Sequence, residues 1–169
     1  MDQGKILVTE DEESLRFVLK KALENEGYWV QTTANGNTAR QLLTETHFDV
    51  SLMDIKLPDA DGLALLKEIK EAGIDTAMIL MTAQNTMRNA IGAMKNGAFD
   101  YITKPFDLDE VLVLVKRAID SRKLSRDFRE LKEEVKNVLS PASISSVRAP
   151  TCKRSTRPSG RWSILTPRF

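Results

Sequence analysis

Short apolar runs alternate with helix-like segments along the first 120 residues of the chain. After each run, apolar residues recur every three or four positions, which is the spacing of a helix face. The predicted strands are Lys5–Thr9, Tyr28–Thr32, Phe48–Met53, Ala77–Met81 and Phe99–Thr103. The predicted helices are Glu12–Asn25, Asn37–Thr44, Asp61–Glu71, Thr86–Lys95 and Leu108–Asp120, with Gly27, Gly73 and Gly97 ending the first, third and fourth.

Five strand–helix units in succession predict an α/β fold with a parallel sheet between two layers of helices. The run Ala77–Met81 (AMILM) is wholly apolar, which is typical of a strand buried on both faces. Because crossovers between parallel strands are right-handed, the sheet should be doubly wound. Ligands of such sheets bind beyond the carboxyl ends of the strands, so chemistry is expected there.

Polar residues follow four of the five predicted strands. They are Glu10 and Asp11 after the first, Asp54 after the third, Thr82 and Ala83 after the fourth, and Lys104 after the fifth. Each has an ordinary explanation alone, such as acidic residues at a helix N-terminus or a surface lysine. Together at one sheet edge they favour an oxygen-rich site for Mg²⁺, with an aspartate that can attack a phosphoryl donor.

Four motifs in order carry a resemblance to a known family. They are ILVTEDEESLR, VSLMDIKLPDADGL, ILMTAQNT and GAFDYITKPFDLDEV. Together, over about residues 3–120, they resemble the receiver domains of bacterial two-component response regulators, the CheY-like superfamily. The resemblance implies a flavodoxin-like sheet of strand order 2-1-3-4-5. It also implies that Asp54 accepts a phosphoryl group from a sensor histidine kinase.

The resemblance further implies a role for each residue of the site. Mg²⁺ would be bound by Asp11, Asp54 and the backbone carbonyl of Lys56, and by Glu10 mainly through a water molecule. Many members have Asp at the position of Glu10, so we expect an altered metal affinity. The phosphate would be held by the Thr82 hydroxyl, the Ala83 amide and the Lys104 ammonium, and the Lys104–Pro105 peptide bond would be cis.

Tyr101 is the expected switch residue together with Thr82. In the family this aromatic residue turns inward when the threonine moves toward the phosphate, and the surface from Thr86 to Asp107, helix four to helix five, becomes the output face. A half-buried strand aromatic that never moves is the alternative interpretation.

Two other function classes remain as alternatives. An aspartyl-nucleophile phosphohydrolase commonly has a second carboxylate two residues after the nucleophile, where this chain has Lys56. A flavodoxin-like nucleotide binder needs a glycine-rich phosphate loop after the first strand, and none is present. We therefore expect a self-phosphorylating and self-dephosphorylating signalling domain and not a turnover enzyme.

The fifth helix is expected to continue as a linker over residues 121–139, after a receiver domain of residues 1–120. Apolar residues recur there at spacings of four and three, which is the seam of a coiled coil. They are Leu124, Phe128, Leu131, Val135 and Val138. We expect a homodimer through this linker and the output face. A single helix folded back on the domain is the alternative.

The linker and the motif TAQNTMRNAIGAMKNGAFDYITKPF look most like the NtrC-type transcriptional activators, and we expect the ATPase and DNA-binding domains of that group to be absent from this chain. Residues 140–169 instead hold four of six prolines, six basic residues and no acidic ones, which predicts a disordered basic tail. With allowed codons, however, a frame shifted within the Thr151 codon can encode MQAVYKTIGKVVNPDAQV, which resembles the start of that ATPase domain. We therefore expect an out-of-frame translation after a frameshift near residues 139–144.

Charge and composition limit the kinds of partner, metal site and cellular location that we expect. Without the tail, the chain has 19 basic against 24 acidic residues, so the domain is acidic and no direct nucleic-acid binding is expected. The only cysteine, Cys152, provides no disulfide framework or cysteine metal site. The only histidine, His47, is expected in a solvated loop. Apolar runs such as Val111–Val115 are too short to span a membrane, and no signal segment is seen, so a cytoplasmic location is expected.

Overall fold

The computed structural model describes residues 4–83 and 87–138. The strands are β1 (Lys5–Thr9), β2 (Trp29–Thr33), β3 (Val50–Asp54), β4 (Ala77–Thr82) and β5 (Asp100–Thr103). The helices are α1 (Glu13–Asn25), α2 (Gly36–Glu45), α3 (Gly62–Glu71), α4 (Met87–Lys95) and α5 (Leu108–Val138). Strands and helices alternate through all ten elements, as the sequence predicts.

The five strands form one sheet in the order β2-β1-β3-β4-β5, and every neighbouring pair is parallel. The flavodoxin-like doubly wound fold is therefore confirmed. The predicted bounds of β1 agree with the observed ones, and those of the other four strands differ from the observed bounds by one or two residues. For example, Phe48 and Asp49 precede β3, where the Phe48 carbonyl accepts a hydrogen bond from the Thr76 hydroxyl at 2.9 Å and the Asp49 carboxylate accepts one from the Lys5 amide at 2.8 Å.

The central strands are apolar because helices cover both faces of the sheet. Successive side chains of β1 separate accordingly: Ile6 and Val8 belong to one core cluster, and Leu7 belongs to the other. The first cluster also contains buried residues of α1 and α5, and the second contains residues of α2, α3 and α4. The sheet is thus a rigid layer, and the residues after its strands begin from fixed positions.

Glycine ends three helices, as predicted. Gly27, Gly73 and Gly97 follow α1, α3 and α4 with φ angles of 87°, 70° and 86°. This left-handed conformation suits glycine because a Cβ atom would be strained there. His47, in the loop after α2, is exposed as expected and lies 3.7 Å from a carboxylate oxygen of Asp49.

The chain divides into two units, Met1–Glu130 and Leu131–Phe169. The first contains the sheet and the helices that cover it, and the described part of the second is the final stretch of α5. The tail of residues 140–169, its out-of-frame interpretation and the predicted helix start at Thr86 lie outside the described residues. In the part of the chain that is described, no helix is both long and apolar enough to cross a membrane.

Candidate functional site

The strand register brings the predicted site residues to one edge of the sheet. Thr9 of β1 pairs with Met53 of β3, so the next residues, Glu10 and Asp54, leave adjacent strands at the same level. On the other side, Thr82 pairs with Thr103, and Lys104 follows directly. The Lys104 amide also donates to the Thr82 carbonyl at 2.7 Å. Residues that are 94 positions apart in sequence thereby come into contact.

The Lys104 ammonium lies between two buried carboxylates. Its Nζ is 2.5 Å from Oδ2 of Asp54 and 2.8 and 2.7 Å from Oε1 and Oε2 of Glu10. Glu10 is fully buried, and Asp54 is 6% exposed. Charge-assisted hydrogen bonds in such a setting are strong, because water screens them poorly.

Burial strongly affects the pKa values of Glu10 and Lys104. Desolvation raises the pKa of Glu10, and the hydrogen bond and charge of Lys104 only partly oppose this effect. Burial alone would lower the pKa of Lys104, but the hydrogen bonds that it donates to Asp54 and Glu10, together with their negative charges, outweigh this effect and the pKa is raised. Lys104 therefore stays cationic through the physiological pH range.

Three carboxylates at this edge fit a divalent cation. One oxygen each from Glu10, Asp11 and Asp54 lies within 4.8 Å of the others. Asp11 is exposed at the rim, whereas the other two are buried. A hard cation such as Mg²⁺ prefers oxygen donors and keeps several waters, so two buried carboxylates and an exposed one suit it.

The loop after β3 fixes the orientation of Asp54. Its Oδ1 accepts a hydrogen bond from the Lys56 amide at 2.9 Å, and the Gly62 amide donates to the Ile55 carbonyl at 2.8 Å. A Cβ atom on Gly62 would lie 2.5 Å from the Asp54 carbonyl oxygen, so only glycine fits this close approach. Lys56 pairs with Asp61 across the loop, and its side chain is exposed.

The predicted phosphate-binding residues lie at the end of β4 and directly after it, and the predicted switch residue Tyr101 lies on the neighbouring strand β5. Thr82 is 5% exposed at the end of β4, and Ala83 follows at the surface. Tyr101 is half-buried on β5 and packs against the core cluster that contains α4. The Lys104–Pro105 peptide bond is cis, as expected. The structure thus gathers the predicted residues, and their individual roles stay predictions.

Two polar residues near the site were not predicted from the sequence. Arg16 of α1 donates from one nitrogen to the carbonyls of Glu10 at 2.7 Å and Asp11 at 3.1 Å. Asp59 accepts from the amides of Gly36 and Asn37 at 2.7 and 2.9 Å, which ties the loop after β3 to the start of α2. These hydrogen bonds lower the pKa of Asp59. Arg16 lies in the first turns of a helix, where the helix dipole disfavours a positive charge. This was the one indication in the sequence that Arg16 has a specific role.

Comparison with known proteins agrees with the geometry. The family model described as "Response regulator receiver domain" matches residues 6–116. The regulatory protein AtoC of Escherichia coli K12 is 40% identical over 128 residues, which cover 76% of this chain and 28% of that protein. The DNA-binding transcriptional regulator NtrC of Proteus hauseri is 38% identical over 165 residues, 96% of this chain and 34% of that protein.

A solved structure shows the same relationship. The solution structure of the beryllofluoride-activated NtrC4 receiver domain dimer has a TM-score of 0.66 and 33% identity, and the match covers 70% of this chain and 98% of that one. By contrast, the chain spans only about a third or less of the length of the two curated relatives named above. The family model covers more than half of the chain and coincides with the sheet and the site at its edge. The chain therefore belongs to the response regulator receiver domains of two-component systems, with NtrC-like regulators among its relatives.

Proposed function

We propose that this receiver domain accepts a phosphoryl group on Asp54 from a sensor histidine kinase. Receiver domains in general bind Mg²⁺ and interact with histidine kinases. The observation that carries the assignment to Asp54 is its contact with the Lys104 ammonium, 2.5 Å away, in a buried cluster at the carboxyl edge of the sheet. We also propose that the protein is located in the cytoplasm.

The proposed chemistry uses the side chains and backbone groups at this edge of the sheet. An Asp54 carboxylate oxygen attacks phosphorus, and the bond from phosphorus to the kinase imidazole breaks with its electron pair returning to nitrogen. Lys104 is positioned to pair with a phosphoryl oxygen, and the Thr82 hydroxyl and the Ala83 amide donate to the others. When bound by Glu10, Asp11, Asp54 and the Lys56 carbonyl, Mg²⁺ supplies further charge neutralisation.

The exposed side chain of Lys56 supports a signalling role. An aspartyl-nucleophile phosphohydrolase would need an acid or base two residues after the nucleophile, and here that position holds a lysine that turns toward solvent. The acyl phosphate would therefore persist long enough to act as a switch. We propose a domain that phosphorylates and dephosphorylates itself and is not a turnover enzyme.

The proposed output face runs from α4 to α5. Ile91 and Met94, one helical turn apart on α4, are 46% and 50% exposed, which supports a protein-binding surface there. Tyr101 lies on β5 beside α4 and packs against the same core cluster as Ala93. A shift of Thr82 toward a phosphate would change the space available to Tyr101, and phosphorylation would thereby alter this face.

The linker supports a homodimer as the active form. Leu124, Phe128 and Leu131, here called the apolar stripe, are 73%, 69% and 60% exposed. Such a row at spacings of four and three suits the seam of a parallel coiled coil. The related NtrC4 receiver domain forms a dimer in its beryllofluoride-activated state. We propose the same response here, with residues 121–139 and the output face as the interface.

A labelling experiment tests the assignment to Asp54. The chain is incubated with acetyl phosphate and Mg²⁺, and phosphoprotein is measured by intact mass. We expect the parent chain to gain one phosphoryl group and Asp54→Asn to gain none. Asp59→Asn is the matched control, because Asp59 lies in the same loop but accepts from two backbone amides of α2. Equal labelling of Asp54→Asn and the parent would contradict the proposal.

A further inference from the structure

Asp75 binds two arginines of α5 at the edge of the sheet opposite the phosphorylation site. Its carboxylate accepts hydrogen bonds from Arg122 and, at 2.9 Å, from Arg129, and its backbone carbonyl accepts a second one from Arg122. Arg122 is largely buried, with 17% of its side chain exposed. We call this group of three residues the Asp75 clamp. Nothing in the receiver chemistry at the other edge of the sheet requires it.

The loop that carries Asp75 is itself held firmly. The next residue, Thr76, is buried and donates its hydroxyl hydrogen to the Phe48 carbonyl at 2.9 Å. The Thr76 carbonyl accepts from the Lys70 ammonium at 2.8 Å, and the Ile74 amide donates to the Ile69 carbonyl. The loop is thus bonded on both sides of Asp75. The Asp75 carboxylate therefore has a fixed position, from which it can orient the two arginines that bind to it.

The clamp and the apolar stripe lie on opposite faces of α5. A helix turns by about 100° per residue, so Arg122 and Arg129 are only about 20° apart around its axis. Leu124 and Phe128 lie about 200° and 240° from Arg122. Holding the arginines against the α3–β4 loop therefore leaves the stripe facing away from the sheet, which agrees with its exposure of 73% and 69% at these two positions.

We propose that Asp75 is a positioning residue for dimerisation, because it holds the extension of α5 beyond the core in the rotation that turns the apolar stripe toward a second copy of this chain. The inference rests on the proposed dimer and names the contact that orients its seam. The buried residues Val111, Val115 and Ile119 fix the rotation of α5 where it packs on the sheet. Arg122 and Arg129 lie on the same face, so the clamp keeps the helix in that rotation beyond the last core residue, where the described apolar side chains are exposed. The ion pairs make one rotation favourable, and they do so within each copy before two copies meet.

Single-cysteine cross-linking in the 169-residue chain with Cys152→Ser tests the inference. We expect an interchain disulfide at Leu124→Cys, on the stripe, to form roughly tenfold faster than at Glu130→Cys, which lies off the stripe. Asp75→Ala should reduce this preference to about threefold or less, and Asp75→Glu should restore most of it. Glu68→Ala, which breaks a surface pair with Arg40 at 2.8 Å, is the matched control and should leave the preference unchanged.

A second measurement does not depend on dimerisation. In dilute, unphosphorylated chain, Asp75→Ala should speed amide hydrogen exchange over residues 121–130 by roughly threefold or more. Unchanged exchange, or an unchanged cross-linking preference in a chain that does dimerise, would overturn the role of Asp75. A parent chain that stays monomeric by light scattering with beryllofluoride would instead contradict the proposed dimer and the stripe's orientation toward a second copy, while the exchange rates still report on the clamp.

Discussion

Arg16 donates a hydrogen bond to the backbone carbonyl of Glu10 at 2.7 Å, and the same nitrogen reaches the Asp11 carbonyl at 3.1 Å. Both acceptors belong to the turn between β1 and α1 that presents the two acidic side chains. The guanidinium thus fixes the backbone behind two of the three carboxylates, and this positioning favours metal binding although the guanidinium charge itself repels a cation. This contact leads to a prediction on metal binding.

Arg16→Ala should weaken Mg²⁺ binding by roughly tenfold, because residues that hold metal ligands in place commonly contribute that much affinity. Calorimetric titration of Mg²⁺ into the unphosphorylated chain measures the effect, and urea unfolding without metal checks that the fold is intact. Arg40→Ala is the control, since Arg40 is also a helical arginine with an ion pair but lies away from the site. Equal Mg²⁺ affinity in Arg16→Ala and the parent would contradict this role.

Glu10→Gln should stabilise the metal-free chain at neutral pH. Burial raises the pKa of Glu10 above its ordinary value of 4.5, so the folded state favours the protonated, neutral carboxyl. The corresponding stability is present below 4.5 and is lost as the pH rises through the raised pKa. A neutral glutamine avoids that loss.

Thermal unfolding in EDTA measures the effect of Glu10→Gln. We expect a Tm higher by a few degrees at about pH 7 and a difference that disappears toward about pH 4. Mg²⁺ affinity should fall in the same variant, as is common where a functional residue costs stability. The exposed Glu71→Gln serves as control, and a lower Tm for Glu10→Gln at neutral pH would count against the predicted sign.

The fold was predictable because buried strands are recognisable in the sequence as short apolar runs, and helix ends are recognisable from glycines. Runs such as AMILM in β4 are apolar on both faces, and glycines such as Gly73 mark helix ends. Exact bounds were less predictable because they depend on tertiary hydrogen bonds. Glu12, for instance, was expected inside α1 but has an extended backbone conformation and precedes the helix.

The site was predictable to the extent that it follows from strand ends and family motifs. Glu10, Asp54 and Lys104 each come directly at or after the end of a strand, and the sheet places such positions at one edge. The Asp75 clamp follows no such rule. It joins a loop residue to Arg122, 47 positions later, and no periodic pattern connects the two. Contacts of this kind are decided by where a long helix meets a distant loop.

Asp75→Asn should destabilise the chain at neutral pH and have little effect in acid. The hydrogen bond from Arg122 lowers the pKa of Asp75 below its ordinary value of 3.8, and the charges of Arg122 and Arg129 act in the same direction. The stability from this carboxylate is therefore present above 3.8 and is lost as the pH falls through the lowered pKa.

Urea unfolding at two pH values checks this sign. Because Asp75 is 42% exposed, solvent screening limits the expected cost to about 1 kcal/mol at pH 7. The cost should fade as the pH falls through the lowered pKa, because the parent carboxyl then becomes protonated as well. Asp127→Asn, an exposed aspartate on the same helix, should change the free energy of unfolding little at either pH. A cost for Asp75→Asn that is the same at both pH values would point to lost packing instead of lost charge.

Two glycine substitutions should act in opposite directions. A Cβ atom on Gly62 would lie 2.5 Å from the Asp54 carbonyl oxygen and 2.8 Å from the Ile55 Cα, both backbone atoms, so the segment that carries the proposed phosphoacceptor must shift. We expect Gly62→Ala to lose about 1–3 kcal/mol of stability and to slow labelling by acetyl phosphate.

Gly92 is the matched control for Gly62. It lies within α4, and a Cβ atom there would meet nothing within 4 Å. Gly92→Ala should therefore raise the free energy of unfolding by about 0.5–1 kcal/mol, since alanine loses less backbone entropy in a helix, and should leave labelling intact. Urea unfolding of both variants measures the change in stability, and intact-mass labelling measures the change in phosphorylation rate. If Gly62→Ala were as stable and as quickly labelled as the parent, the close approach of α3 to Asp54 would not constrain the site. If Gly62→Ala were destabilised but labelled at the normal rate, the approach would matter for folding alone.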